Sequence, residues 1–137
     1  MATQSRTPRT VAETFLERLG AQDQDGIQEL FATVIDWHVP GTETLPWTGR
    51  RSRREEVAPY FTLLWDAFVR GKSRVALDRV IVEDDNVVIL GTFTHTVTET
   101  GREFTTPAAL HLVVQDGRIT SLHLYEDTLI VDRAFAS

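Results

Sequence analysis

The 137-residue sequence lacks cysteine, contains a single lysine and has no long apolar run. Without cysteine, a disulfide, a thiolate metal cluster and a cysteine nucleophile are all excluded. The one lysine, Lys72, follows Gly71 in a predicted loop, which leaves little basis for Schiff-base chemistry. No segment approaches the ~18 apolar residues of a membrane span, and the polar start of the chain has no apolar stretch of a secretory signal behind it. We therefore expect a cytoplasmic protein that binds no membrane.

Acidic residues outnumber basic ones by 20 to 14, which gives a net charge of −6. This balance argues against a nucleic acid as partner, because nucleic-acid binding depends on neutralising phosphates. The length predicts a single domain over residues 1–137, with residues 1–8 as a flexible arm. The chain has no glycine-rich phosphate loop, and its four histidines show no His-x-His or His-x-x-x-His spacing. We expect neither a cofactor nor a metal.

The first half of the chain is predicted to be mainly helical. A capping box at Thr10 begins a first helix, whose apolar residues fall on one helical face. A second helix begins near Asp23, and a third follows the loop of residues 41–51. Residues 34–39, which precede this loop, predict a strand.

The second half is predicted to consist of antiparallel strands. Four β-rich segments are separated by turn residues: Arg74–Val82, Val87–Thr98, Glu103–Val114 and Arg118–Glu126. Residues 128–135 close the chain as a helix or a tail. The order α-α-β-α-β-β-β-β is typical of the α+β class, with three helices on the concave face of a curved, mostly antiparallel sheet. Such a cone has an apolar pocket at its open end.

Two tight turns predict which side chains share a face of the sheet. A two-residue turn at Asp116-Gly117 places Leu110 opposite His123. A similar turn at Thr100-Gly101 places His95 opposite Thr106. The shared face then collects Phe93, His95, Val97, Phe104, Thr106, Ala108, Leu110, Leu112, Ile119, Ser121, His123 and Tyr125, joined by Asp127 if the strand continues. Apolar walls with a few polar groups are typical of a small-molecule site, although a bulge in either hairpin would move part of this set to the other face.

Short motifs along most of the chain resemble those of a known superfamily. They are Asp25-Gly26-Ile27 with Leu30-Phe31, Trp37-His38-Val39-Pro40-Gly41, Leu45-Pro46-Trp47-Thr48-Gly49 before Arg54-Glu55-Glu56-Val57, Val114-Gln115-Asp116-Gly117-Arg118-Ile119, and Leu124-Tyr125-Glu126-Asp127. In this order they resemble the nuclear transport factor 2-like superfamily, and within it the SnoaL-like polyketide cyclases and ketosteroid isomerase-related proteins. The resemblance implies the cone-shaped fold, but it does not choose among the isomerases, cyclases, epoxide hydrolases, dehydratases and binders of that superfamily.

Departures from the family patterns narrow the activity that the resemblance implies. Ketosteroid isomerases use a first-helix tyrosine and an aspartate before the strand-ending proline, and the matching residues here are Phe15 and Val39. Limonene-type epoxide hydrolases use an Arg-x-Asp pair on a central strand and an aspartate on the last strand, of which only Asp127 is matched. SnoaL-like cyclases rely on a last-strand aspartate as base. The resemblance therefore favours Asp127 as base, and the alternative is that this side chain caps a helix.

The expected site combines one base with several donors and an apolar wall. The expected catalytic residues are Asp127 as base and His95, His123 and Tyr125 as donors or proton relays. For the two histidines and the tyrosine, the alternative is an ordinary packed side chain. The expected ligand-binding residues are His38, Trp37, Phe15, Tyr60, Phe93, Phe104, Thr106, Leu110 and Ser121, with His38 favoured over Trp37 on the first strand.

The resemblance and the predicted face together favour a SnoaL-like small-molecule enzyme. We expect proton abstraction next to a carbonyl, leading to cyclisation or isomerisation, on an apolar oxygenated ligand such as a polyketide or terpenoid. The alternatives are an epoxide hydrolase or dehydratase of the same fold, and a non-catalytic module that binds the same kind of ligand. We also expect two copies of the chain to pair as a homodimer through the outer face of the sheet.

Overall fold

The computed structural model describes residues 6–136, which form four α-helices and one six-stranded sheet. The helices are α1 (Pro8–Gly20), α2 (Gln24–Gln28), α3 (Val57–Asp66) and α4 (Thr128–Phe135), and a 3-10 turn, Arg54–Glu56, precedes α3. The strands are β1 (Phe31–Val39), β2 (Gly49–Arg53), β3 (Arg74–Glu83), β4 (Asn86–Thr96), β5 (Glu103–Gln115) and β6 (Arg118–Glu126). None of the described helices is both long enough and apolar enough to span a membrane.

The strands are arranged in the order β2-β1-β6-β5-β4-β3. All neighbours are antiparallel except β1 and β6, which run parallel. The predicted α+β class with a curved, mostly antiparallel sheet is confirmed. One element differs from the prediction, since β2 forms an edge strand from residues that overlap the expected loop. Residues 128–135, predicted as a helix or a tail, form the helix α4.

Helices α1 and α3 cover one side of the sheet, which we call the concave face. Val11 and Phe15 of α1 are buried, as are Val57 and Phe61 of α3. Both pairs repeat at a spacing of four residues, which places each pair on one side of its helix. The Phe61 ring packs edge-on against Trp37 of β1, with ring centroids 6.3 Å apart. Burial of these apolar surfaces supplies the main driving force for the packing of the two layers.

Helix α1 begins earlier than a capping box at Thr10 predicts. The Thr7 side chain accepts a hydrogen bond from the Thr10 amide at 3.2 Å and is therefore the N-cap. Pro8 takes the first helical position, where a missing N–H removes no helical hydrogen bond. Of the arm predicted at residues 1–8, the first five lie outside the described residues, and the last two belong to this helix start.

The opposite side of the sheet, which we call the outer face, carries partly exposed side chains. Leu90, Ala109 and His111 are partly exposed there, and Tyr125 is 58% exposed. No described helix packs on this face. Its pairing with a second copy of the chain stays a prediction.

The two hairpins depart from two-residue turns, with different consequences for the faces of the strands. Between β4 and β5, His95 pairs with Phe104 rather than with Thr106. A shift of two residues leaves every side chain on its predicted face. Between β5 and β6 the Asp-Gly turn forms, but the register then shifts between Val113 and Val114.

A β-bulge at Thr120 accounts for this second shift. Val114 pairs with Ile119 and Val113 pairs with Ser121, so Thr120 has no partner of its own. One extra residue inverts the alternation of every later residue in the strand. Leu122, Leu124 and Glu126 therefore point to the concave side, whereas Ser121, His123 and Tyr125 point to the outer side.

Gly91 of β4 lies beside an irregularity in β3, and a side chain at position 91 would collide with the backbone of β3. A β-carbon at Gly91 would lie 2.5 Å from the carbonyl oxygen of Ala76. We expect Gly91→Ala to lower the free energy of unfolding by about 1–3 kcal/mol, because the backbone has to shift, and urea denaturation measures the loss. Gly20→Ala is the matched control, since nothing lies within 4 Å of its new β-carbon. Similar losses in the two variants would contradict the close approach of β3 to β4.

Candidate functional site

An apolar cavity of about 420 Å³ lies between α1, α3 and the concave face. This volume falls in the range of roughly 300–1,000 Å³ that small-molecule pockets occupy. Six of the nine predicted ligand-binding residues line it: Phe15, Trp37, Tyr60, Phe93, Phe104 and Leu110. Their positions follow from one helical face on α1 and α3 and from the two-residue alternation of the strands.

The other three predicted ligand-binding residues do not line the cavity. Thr106 is fully buried, and its hydroxyl donates to the Pro107 carbonyl oxygen at 3.1 Å and accepts from the Asp127 amide at 3.2 Å. Ser121 lies on the outer face because it follows the bulge. His38 also lies there, since its neighbour Trp37 takes the cavity side of β1. The preference for His38 over Trp37 is therefore wrong.

His123 and Tyr125 also lie on the outer face, so their predicted place on the cavity wall is wrong. The physical reason is the bulge at Thr120, which inverts the alternation of β6. His123 pairs in register with His38, and its Nε2 lies 3.1 Å from a carboxylate oxygen of Asp36. These groups face away from the cavity.

Asp127, the predicted base, is the N-cap of α4. Its carboxylate accepts hydrogen bonds from the amides of Leu129 at 3.1 Å and Ile130 at 3.3 Å. The side chain is exposed and does not line the cavity. A carboxylate in this position satisfies free amides and interacts favourably with the helix dipole. The geometry corresponds to the helix-cap alternative.

The preceding residue, Glu126, lines the cavity and is absent from the residues that the sequence predicts. Burial raises the pKa of Glu126 to about 7, because the apolar surroundings disfavour the charged form. The sequence contains one indication that Glu126 faces the cavity. Leu122 and Leu124 are the apolar residues of this segment, and a strand that turns them towards the core turns Glu126 with them.

Two aromatic side chains with hydrogen-bond donors, Tyr60 and Trp37, pack together in the wall of the cavity. Burial and the nearby Glu126 carboxylate raise the pKa of Tyr60, and Arg51 opposes them, so the phenol stays protonated. The Trp37 ring packs against Tyr60 with centroids 4.8 Å apart. The Trp37 indole N–H is buried and finds no acceptor among residues 6–136. A donor with no accessible surface does not face the cavity, so of these two groups the Tyr60 hydroxyl is the one that a ligand can reach.

Arg51 of β2 supports Tyr60 from the side away from the sheet centre. Its guanidinium carbon lies 5.0 Å from the centre of the Tyr60 ring. One guanidinium nitrogen donates to the Trp47 carbonyl oxygen at 2.9 Å. Burial lowers the pKa of Arg51, whereas Tyr60 and Glu56 raise it. The cation–π contact restricts the orientation of the phenol ring.

His95 lies on the cavity wall that β4 forms, on the predicted face. Its Nδ1 shares a hydrogen bond of 2.8 Å with the Ser73 hydroxyl. The imidazole stacks on Phe68, with centroids 4.1 Å apart and planes inclined by 9°. Burial lowers the pKa of His95 to about 4. The ring is therefore neutral at pH 7, with one nitrogen as donor and the other as acceptor.

The polar groups of the cavity are thus suited to moving protons. Among the described residues, no group of three histidine, aspartate or glutamate side chains is arranged to hold a metal ion. The carboxyl group of Glu126 can take or give a proton near neutral pH, and the Tyr60 hydroxyl can stabilise negative charge on an oxygen.

Comparison with known proteins gives one family and many similar structures. A family model described as the SnoaL-like domain matches residues 12–122. No curated protein matches the chain.

The similar solved structures show the same fold at low sequence identity. A nuclear transport factor 2-like protein from Burkholderia thailandensis is 22% identical, with a TM-score of 0.84, and the match covers 96% of this chain and 98% of that one. A second such protein, of unknown function, from Burkholderia pseudomallei is 21% identical, with a TM-score of 0.85 and coverage of 98% and 100%. TerC, co-crystallised with polyporic acid, is 18% identical, with a TM-score of 0.82 and coverage of 95% and 98%.

The role of Asp127 as a helix cap predicts how two substitutions affect stability. We expect Asp127→Ala to lower the free energy of unfolding by about 1 kcal/mol, because the amides of Leu129 and Ile130 lose their acceptor. Asp127→Asn keeps an oxygen acceptor and should retain most of the stability. Thermal unfolding of the two variants measures the difference. Equal losses in the two variants would show that the hydrogen bonds to the amides of Leu129 and Ile130 do not account for the stability that Asp127 contributes.

The buried carboxyl of Glu126 predicts a pH dependence of stability. Between its ordinary pKa of 4.5 and its folded pKa of about 7, the folded chain holds a proton that the unfolded chain has lost. The contribution of Glu126 to stability therefore falls as pH rises through this window, by about 3 kcal/mol in total at pH above 7. His95, whose pKa burial lowers to about 4, contributes the opposite trend in both proteins. Urea denaturation across the window should therefore show the wild type losing stability relative to Glu126→Gln. Parallel pH profiles for the two proteins would contradict the burial of an ionisable carboxyl.

Proposed function

The chain belongs to the SnoaL-like domain family, and from this premise we propose that its cavity binds a small, apolar, oxygen-bearing ligand and moves a proton on it. In this proposal Glu126 is the acid–base group, in place of the Asp127 that the sequence favours. The Tyr60 hydroxyl holds the ligand oxygen. The reaction is cyclisation or isomerisation through an enolate.

The single observation that carries the proposal is the buried carboxyl of Glu126 in an otherwise apolar cavity. A base that removes a proton next to a carbonyl works best when its pKa lies near the working pH. Burial brings the pKa of Glu126 to about 7. Asp127 does not lie in such apolar surroundings, since it is exposed and its carboxylate already accepts hydrogen bonds from two helix amides.

The proton transfer can be followed atom by atom. The Glu126 carboxylate takes a proton from the carbon next to the ligand carbonyl. The electron pair of that C–H bond forms a C=C bond, and the π pair of the carbonyl moves to its oxygen. The Tyr60 hydroxyl donates a hydrogen bond to the resulting enolate oxygen. In a conjugated ligand the enolate takes the proton back from Glu126 at another carbon, which isomerises the ligand. Alternatively, the enolate carbon attacks a second carbonyl of the ligand, whose oxygen receives the π pair of its own C=O bond and the proton of Glu126, and a ring closes.

The walls of the cavity indicate the class of ligand. Aromatic side chains of α1, α3 and β4 dominate them, with Phe15, Phe61 and Phe93 among the lining residues. Such walls favour a flat apolar body of aromatic or terpenoid type. TerC, a protein of the same fold, has been crystallised with polyporic acid, which supports a cavity that takes an organic ligand.

Exchange of a carbon-bound proton tests the proposed chemistry without knowledge of the natural substrate. With 2-tetralone in D2O as a simple apolar ketone, proton NMR measures the loss of hydrogen next to the carbonyl. We expect the wild type to accelerate this exchange, with a rate that rises with pH through about 7 as Glu126 ionises. Glu126→Gln should lower the rate by roughly 100-fold or more.

Asp127→Asn is the matched control, because it removes the charge of the adjacent carboxylate, which does not line the cavity. It should leave the exchange rate and its pH profile unchanged. Exchange that is lost in Asp127→Asn and kept in Glu126→Gln would return the role of base to Asp127. Ketone binding without any accelerated exchange would instead favour the non-catalytic binding module.

A further inference from the structure

A polar groove of about 840 Å³ lies between α1, α2, the 3-10 turn and the start of β6. It shares no lining residue with the apolar cavity, although α1 contributes to both. Thr14 and Arg18 of α1 line the groove, whereas Phe15 and Leu19 of the same helix line the cavity. The groove is therefore a second site, separate from the one proposed above.

The lining of the groove has a charge opposite to that of the chain. Four arginines line it, each from a different segment: Arg6, Arg18, Arg54 and Arg118. We call this site the arginine groove. Its acidic lining residues are Asp25 and Glu29, so the lining has a balance of two positive charges, whereas the whole chain has a net charge of −6. The fold, rather than a local run of basic residues, brings these four cations together.

Two of the four guanidinium groups are held in place by the backbone at α2. One nitrogen of Arg18 donates to the Gly26 carbonyl oxygen. One nitrogen of Arg118 donates to the Glu29 carbonyl oxygen at 2.9 Å. A guanidinium group has five N–H donors, so each of these arginines is oriented by one hydrogen bond and keeps donors for another acceptor.

No ion pair within residues 6–136 neutralises any of the four arginines. Arg6 instead lies along the β5–β6 turn, where a β-carbon at Gly117 would lie 3.0 Å from the Arg6 β-carbon. Neighbouring positive charges repel one another, and this repulsion is relieved when an anion binds among them. The arginine groove therefore favours a bound anion.

We propose that the arginine groove binds a phosphate group, carried by a small organic molecule or free as inorganic phosphate. A phosphate group has at least three oxygens that accept hydrogen bonds from several directions, which suits arginines from four separate segments. A carboxylate has only two oxygens, in one plane. At pH 7 a phosphate group carries a charge of about −1.5 to −2, which matches the balance of the lining. The groove also has room for an organic part beside the side chains of Val11 and Leu30.

Calorimetric titration with small anions at pH 8 and low salt tests the proposal. The probes are phenyl phosphate, inorganic phosphate and benzenesulfonate, which has the same ring as phenyl phosphate but a single negative charge. We expect phenyl phosphate to bind about tenfold more tightly than benzenesulfonate, and added salt to weaken its binding. Tighter binding of phenyl phosphate than of inorganic phosphate would identify a phosphate ester as the ligand, and equal affinities would identify the free anion.

Variants that change the charge of the lining assign the binding to the arginine groove. The double variant Arg6→Gln, Arg54→Gln should weaken the binding of phenyl phosphate by about tenfold, because two guanidinium groups are lost. Glu29→Gln removes a carboxylate from the lining and should tighten the binding by about twofold. Arg9→Gln is the matched control, because Arg9 is exposed on α1 but does not line the groove. It should leave the affinity unchanged, and thermal unfolding checks that each variant is folded.

Binding of phenyl phosphate that is absent, or no tighter than that of benzenesulfonate, would overturn the proposal. So would an affinity that survives in the double variant, or that Arg9→Gln lowers by as much. If the double variant does not fold, Glu29→Gln decides, and binding no tighter than in the wild type would count against the arginine groove. None of these results bears on the apolar cavity, since Glu126→Gln should leave the affinity for phenyl phosphate unchanged.

Discussion

The structure depends on the burial of the concave face of the sheet beneath α1 and α3. Large side chains from both layers, among them Phe15, Trp37 and Phe61, are almost inaccessible to water, and each buried Å² of apolar surface contributes roughly 25 cal/mol. Because the sheet is curved, the two layers separate towards one end and leave a cavity of about 420 Å³. The cavity is thus an extension of the core, and polar groups that enter it lose hydration as core groups do.

This shared loss of hydration acts in opposite directions on the pKa values of Glu126 and His95. It raises the pKa of Glu126 to about 7 and lowers the pKa of His95 to about 4. In both cases the neutral form is favoured, because the charged form is poorly solvated in the cavity. The result is a site with a neutral imidazole tied to Ser73 and a carboxyl poised between its two forms.

The sequence predicts most of the fold because the signals for helices and strands are local. Residues on one helical face identify α1 and α3, and the Asp-Gly turn locates the last hairpin. The edge strand β2 is harder to predict, since Gly49–Arg53 is short and contains no apolar residue. Which side chains face the cavity depends on the register between strands, which local signals do not fix. Phe93 and His95 keep their predicted face, while His123 and Tyr125 do not. Composition does not show that Thr120 bulges out of the ladder instead of pairing, yet this bulge decides which later side chains face the cavity.

The bulge at Thr120 also has an evolutionary consequence. Loss of the Thr120 codon would join Ile119 to Ser121 and remove the bulge, yet Ser121 would still pair with Val113 and Leu122 with Leu112. Leu124 and Glu126 would therefore keep their places at the cavity, because the bulge already accounts for the extra residue in the ladder. Gain or loss of one codon at this position thus changes the length of the strand while the chemistry of the cavity remains the same.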